Sequence, residues 1–272
     1  MLLAISLSTN DYVGHSFGPD SWEAWDELLR LDAALAKFFA GLDTRFGTDG
    51  YAVVLSADHG VTTMPEVTLL PGARPWCAPN AAPDRWERAC GKVGRLPSDS
   101  LADELRVAVR AELGEGDFVA GIADPYVYLT RSGRALAGEQ RRKLDFAITT
   151  ALTKQPEVDK VFARDAVPPT SELVFNSVTN DAGDYYVLVA RGSFFDPLYV
   201  LGHGTSHGSP YLYDRAVPLL VRAPGLVKPG VVTEGPLTFR AFARAATDLL
   251  GIAPLESART VPSMVTEKRK VP

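Results

Sequence analysis

The chain has 272 residues, 46% of them hydrophobic and 22% charged, enough for one substantial core with or without a small appended subdomain. A net charge of -5 and a pI near 5.5, with Lys and Arg scattered outside the EKRK tail at 267–270, argue against a nucleic-acid backbone or an anionic membrane surface as partner, since either calls for a basic patch. No apolar run approaches the roughly 20 residues that a membrane-spanning helix needs.

LLAISL, residues 2–7, is a short continuous apolar run of the kind that forms a strand buried on both faces. It has neither the basic start nor the small-residue cleavage site of a signal peptide, so it reads as a strand. The next stretch, STNDYVGHSFGP, places Asp11 and His15 four residues apart in what reads as a Gly-containing loop. Pro19, Asp20 and Ser21 then signal a helix start, Asp20 with Glu23 fits a capping box, and Trp22, Trp25, Leu28, Leu29, Leu35, Phe38, Phe39 and Leu42 recur at helical spacing. The spacing predicts an amphipathic helix of about 25 residues docked by that face, with Asp32 as a solvated or helix-internal charge rather than a ligand. YAVVLSADHG is a second buried strand ending on Asp58 and His59, which completes a βαβ unit.

Residues 62–98, rich in Pro, Gly and Ala, read as an irregular excursion holding the only two cysteines, Cys77 and Cys90. These either close a small loop in an oxidising compartment or stand as two thiols. A helix near 99–113 follows. PYVYLT, EQRRKLDFAITTALTK, VDKVFAR and DYYVLVAR then predict strand, helix, strand and strand, a small α+β subdomain. GHGTSHGSPYLYD, residues 202–214, is a polar Gly-rich loop leading into AVPLLVRAPG, a third buried strand, and a last helix is predicted over 238–250.

All four histidines, His15, His59, His203 and His207, stand in Gly-containing segments at predicted strand ends. In an open parallel sheet, ligands bind at the carboxyl ends of the strands. With Asp11 and Asp58 the histidines make a set of imidazoles and carboxylates converging on one sheet edge, a donor chemistry that suits zinc or a similar divalent ion. Each alone reads as a structural or exposed side chain; the set carries the signal.

ND-x-x-GH-x-x-GP before a long helix, ADHG closing a strand, and HG-x-PY-x-YD-x-x-VPLLV-x-APG occur in that order. Together they resemble the alkaline phosphatase superfamily, and within it bacterial alkaline phosphatases and type I phosphodiesterase/nucleotide pyrophosphatases, over residues 1–65 and 200–255. The resemblance implies an α/β fold with a mostly parallel sheet flanked by helices, truncated at its amino end. Residues 1–65 and 200–272 would form the partial core, and 66–199 an inserted loop and α+β subdomain.

The same resemblance implies hydrolysis of small-molecule phosphate esters with two zinc ions, or another divalent metal. Asp11, His15 and His207 would hold one ion, with His207 preferred to His203 because it directly precedes the strand; Asp58 and His59 would supply two ligands of the second. Tyr211, Tyr213 and Asp214 would brace His207 from behind. The family completes the second ion with an Asp and with a Thr or Ser nucleophile, both preceding the Asp-x-x-x-His motif. Those positions have no counterpart in this sequence, and Ser6, Ser8, Thr205 and Ser206 occupy none of them. The expectation is a late-starting portion of a longer enzyme that is periplasmic or secreted in full. Two alternatives stand beside it: a non-catalytic metal-binding fragment or partner subunit, and a sulfatase or phosphoglycerate-mutase-type enzyme on the same scaffold.

Overall fold

The computed structural model describes residues 2–68, 93–166, 181–197, 201–230 and 237–265; Cys77, Cys90 and the basic tail lie outside them. In chain order the elements are α1 (Thr9–Phe17), α2 (Trp22–Phe46), β1 (Val53–Ser56), α3 (Pro65–Thr68), β2 (Arg95–Leu96), α4 (Ser98–Leu113), β3 (Val119–Ala123), β4 (Tyr126–Leu129), α5 (Arg131–Ala135), α6 (Gly138–Thr153), β5 (Val158–Ala163), β6 (Tyr185–Val189), β7 (Phe194–Phe195), α7 (Leu212–Arg215), β8 (Leu219–Arg222) and α8 (Arg240–Leu250). They fall into two compact units: Met1–Glu27 with His59–Arg215, and Leu28–Asp58 with Ala216–Pro272.

Four local expectations at the start of the chain change. LLAISL forms no strand: among the described residues none pairs with it, and Leu2 is 70% exposed. A strand exists through the hydrogen bonds of a neighbour, which the apolarity of the run does not supply. The Asp11/His15 segment is a helix, not a loop: α1 has no proline, and it ends where Gly18, at φ +83°, donates its N–H to Gly14 O. In α2 the cap is Ser21, whose hydroxyl accepts the Ala24 N–H at 3.1 Å, in place of the Asp20/Glu23 box. The apolar stripe of α2 is also largely open, with Trp22 84% exposed and Trp25, Leu28, Leu29 and Phe38 exposed beside it. Periodicity identifies the face of a helix and not what covers it.

The first unit is built on a four-stranded antiparallel sheet in the order β3-β4-β6-β5. Helices α4 and α6 pack on each other and against this sheet, closing a core of Leu101, Leu105, Val109, Leu144, Ile148 and Leu152 against Val127, Leu129 and the inward side chains of β6. Every residue of β6 is buried, so both its faces are used. Tyr185, Val187 and Val189 enter the helix-covered core, whereas Tyr186 and Leu188 pack with Tyr211 on the other face. That second contact seats the 202–214 loop, because the Tyr211 hydroxyl donates to Val189 O at 2.7 Å and Tyr213 Oη accepts the Gly192 N–H at 3.0 Å. A separate parallel pair, β2 with β7, lies in the same unit.

The second unit holds the antiparallel pair β1–β8, with Val53 opposite Arg222 and Ser56 opposite Leu219. Helix α8 packs on β1, turning Ala241 and Ala245 inward. Tyr51 donates to Asp43 at 2.8 Å and lies beneath the Arg222 guanidinium, tying the turn after α2 to β8. Across the described residues, no helix is long and apolar enough to cross a membrane.

Candidate metal centre

Three segments of the first unit meet at one cluster of side chains. The helical conformation of α1 places Asp11 and His15 one turn apart on the same face. His207 arrives from the Gly-rich loop seated on β6, and His59 from the segment entering the unit after β1. One ligand atom each from Asp11, His15 and His207 lie within 4.8 Å of one another. His15 Nε2 is 3.4 Å from Asp11 Oδ2, His207 Nε2 is 3.7 Å from Asp11 Oδ1, and the two Nε2 atoms are 3.1 Å apart. His59 Nε2 stands 3.9 Å from Asp11 Oδ1, and its ring stacks on that of His207 with centroids 3.3 Å apart.

Backbone carbonyls orient two of these rings. His15 Nδ1 lies 2.9 Å from Thr205 O and His59 Nδ1 lies 2.9 Å from Gly60 O. A carbonyl only accepts, so in each ring Nδ1 carries the proton and the neutral imidazole keeps its Nε2 lone pair for the cluster. This is the outer arrangement that metal-bound histidines use.

The donor set fits a divalent cation. One carboxylate and two imidazole nitrogens are zinc-type ligands. Two zinc–nitrogen bonds of about 2.0 Å at a tetrahedral angle put the nitrogens about 3.3 Å apart, close to the separation of the two Nε2 atoms.

Close backbone contacts hold the segments together. The Gly60 N–H donates to Asp214 O at 2.7 Å, and a Cβ on Gly60 would stand 2.0 Å from Tyr213 O. Gly204, at φ +63°, approaches α1 so closely that a Cβ would stand 1.7 Å from His15 O. The Thr205 hydroxyl donates to Thr62 O at 2.8 Å, joining the loop to the His59 segment. Asp214 is buried, and its Oδ2 accepts the Ser209 N–H at 2.7 Å, two residues beyond His207. Burial pushes its carboxyl up to about 6, against the hydrogen bonds from Ser209, and its Oδ1 has no hydrogen-bond partner among the described residues. Asp214 also lines a crevice with Ser206, His207 and Ser209.

Of the residues singled out in the sequence, the structure therefore brings Asp11, His15 and His207 together, with His59 against them. Asp58 lies two residues beyond β1 and belongs to the second unit. His203 is exposed and outside the converging trio. The Tyr211 and Tyr213 hydroxyls engage the backbone at the end of β6, fixing the loop that carries His207. Sequence reading missed the backbone roles of Gly60, Gly204 and Thr205; closely spaced glycines beside histidines are the one signal that pointed to them.

The sequence profile described as type I phosphodiesterase / nucleotide pyrophosphatase matches residues 1–195. The chain belongs to this family. Among curated relatives of the phosphodiesterase family member, alkaline phosphatase PafA of Elizabethkingia meningoseptica is 28% identical over 246 residues, which is 82% of this chain and 38% of that protein. Alkaline phosphatase PhoK of a Sphingomonas species is 27% identical over 83% of this chain and 39% of its own length. The chain thus spans about two-fifths of the length of these relatives. The crystal structure of wild-type PafA superimposes on 93% of this chain and 45% of its own with a TM-score of 0.70 at 26% identity, so the fold is the alkaline-phosphatase-like α/β fold.

Proposed function

We propose that this chain is the metal-holding portion of a hydrolase of phosphate esters, and that Asp11, His15 and His207 hold one divalent ion, zinc by preference. The observation that carries this reading is the convergence of those three side chains from α1 and the 202–214 loop, with the Nε2 atoms of His15 and His207 at 3.4 and 3.7 Å from the Asp11 carboxylate. Membership of a phosphodiesterase family and likeness to alkaline phosphatases support the substrate class. By motif, Asp58 and His59 contribute to a second ion.

When bound, such ions draw off charge from phosphoryl oxygens and ionise a hydroxyl or water at neutral pH. The side chains supply the frame. Asp11 brings a negative charge against three imidazoles; Thr205 O and Gly60 O hold the ring protons of His15 and His59 on Nδ1; and the Asp214 main chain fixes the Gly60 turn.

The test is an assay of a chimera in which the chain replaces the matching part of the Elizabethkingia phosphatase, with p-nitrophenyl phosphate, its diester and p-nitrophenyl sulfate side by side. Expected is hydrolysis of a phosphate ester that a chelator abolishes and that falls at least about a hundredfold in His207→Ala, or about 2.7 kcal/mol in the barrier. Preference for the sulfate, or full activity in His207→Ala, would overturn the proposal.

A further inference from the structure

One buried cation lies outside the metal cluster and is tied to it. Arg95, on β2, has a side chain only 2% exposed. Its Nε and Nη2 donate to the two oxygens of Glu66 on α3 at 2.8 and 3.0 Å, a bidentate pair. Its Nη1 donates to Asp196 Oδ2 at 3.0 Å, just past β7, and its guanidinium lies 4.9 Å over the Phe194 ring. The remaining contact is not with a charge: Nη2 also donates to Gly204 O at 2.9 Å.

Gly204 O and Thr205 O belong to successive peptide groups, and they face opposite tasks. The first is held by Arg95, and the second receives the His15 Nδ1 proton. Gly204 sits in a left-handed conformation that few other residues adopt, packed on the His15 carbonyl, so the loop has little room to turn except about its own peptide planes. A guanidinium fixed at three corners by Glu66 and Asp196 is a rigid donor, whereas a lysine there would offer a mobile point charge.

We infer that Arg95 is a positioning residue for His15: by holding Gly204 O it sets the Gly204–Thr205 backbone so that Thr205 O keeps the His15 proton on Nδ1 and its Nε2 lone pair toward Asp11 and His207. This rests on the metal reading above for its consequence, but not for its geometry. His59 is the internal comparison, because its Nδ1 proton goes to the carbonyl of its own neighbour, Gly60, rather than to the Gly204–Thr205 backbone.

The experiment compares the full chain with Arg95→Lys by nitrogen-15 NMR of the histidine rings without metal, and by zinc titration against a competing chelator. In the parent, His15 and His59 both show the Nδ1–H tautomer. In Arg95→Lys, His15 is expected to shift to a tautomer mixture while His59 is unchanged, and zinc affinity to fall about 10- to 100-fold. Glu66→Gln, which loosens one arm of the fork, moves both readouts the same way by less, and it serves if Arg95→Lys does not fold. An unchanged His15 tautomer in a folded variant, or equal shifts in His15 and His59, overturns the inference. A parent that binds no zinc while its His15 tautomer still responds to Arg95 counts against the metal reading alone.

Discussion

His203 and His207 stand four positions apart in one Gly-rich loop, and their surroundings differ. His207 faces Asp11 and His15, while His203 is exposed and outside that group. Replacing His207 with Ala is expected to weaken zinc binding roughly a hundredfold, about 2.8 kcal/mol, while His203→Ala stays within about twofold. Isothermal titration of both variants checks this, and equal losses would contradict the assignment. Asp214 makes a prediction in pH. Its carboxyl ordinarily titrates at 3.8 and is raised to about 6 by burial, so the folded protein holds that proton more tightly than the unfolded chain does. Its contribution to stability is therefore complete below 3.8 and is lost as the pH rises through about 6. In metal-free protein, Asp214→Asn should flatten the fall in melting temperature between pH 4 and pH 7; an unaltered slope would show that burial does not govern this group.

At the level of elements, β6 joins the core to the site, since alternate side chains pack on α4 and α6 and on Tyr211. Ile148→Ala on α6 opens a cavity in the first of these layers and is expected to cost about 2–5 kcal/mol in urea unfolding. Gly204→Ala attacks the loop directly: it strains a left-handed backbone and drives a methyl into His15 O. Its melting temperature should drop, and zinc affinity should drop with it. Most elements were legible because their periodicity is strong. The helices over 22–46, 98–113 and 138–153, and the strands at 126–129, 158–163, 185–189 and 219–222, stand where the apolar pattern put them. The exceptions have physical causes. TNDYVGHSF is rich in turn-forming residues with no apolar stripe, so α1 read as a loop, although its four-residue Asp–His spacing is helical in retrospect. LLAISL is apolar enough for a buried strand, but pairing depends on a neighbour rather than on its own residues. The metal trio was legible as residue types; the carbonyls of Gly60 and Thr205 that orient the rings were not, because every residue carries one.

Among the described residues, many of the exposed large apolar side chains fall in the first 29 positions, where Leu2, Leu3, Ile5, Leu7, Tyr12, Phe17, Trp22, Trp25, Leu28 and Leu29 are all open. A monomer seldom leaves so much apolar surface uncovered. The 272-residue chain alone should therefore bind a hydrophobic dye strongly, and the chimera with the rest of the Elizabethkingia phosphatase should bind it much less; equal dye binding would mean that the added part leaves this surface open. The central claim is that Asp11, His15 and His207 hold a divalent ion. An anomalous difference map at the zinc edge, from crystals of the zinc-loaded protein, tests it most directly. A peak about 2.0–2.2 Å from His15 Nε2, His207 Nε2 and an Asp11 carboxylate oxygen is predicted. A map with no peak at these three side chains, or with the zinc bound by His203 instead, would contradict it.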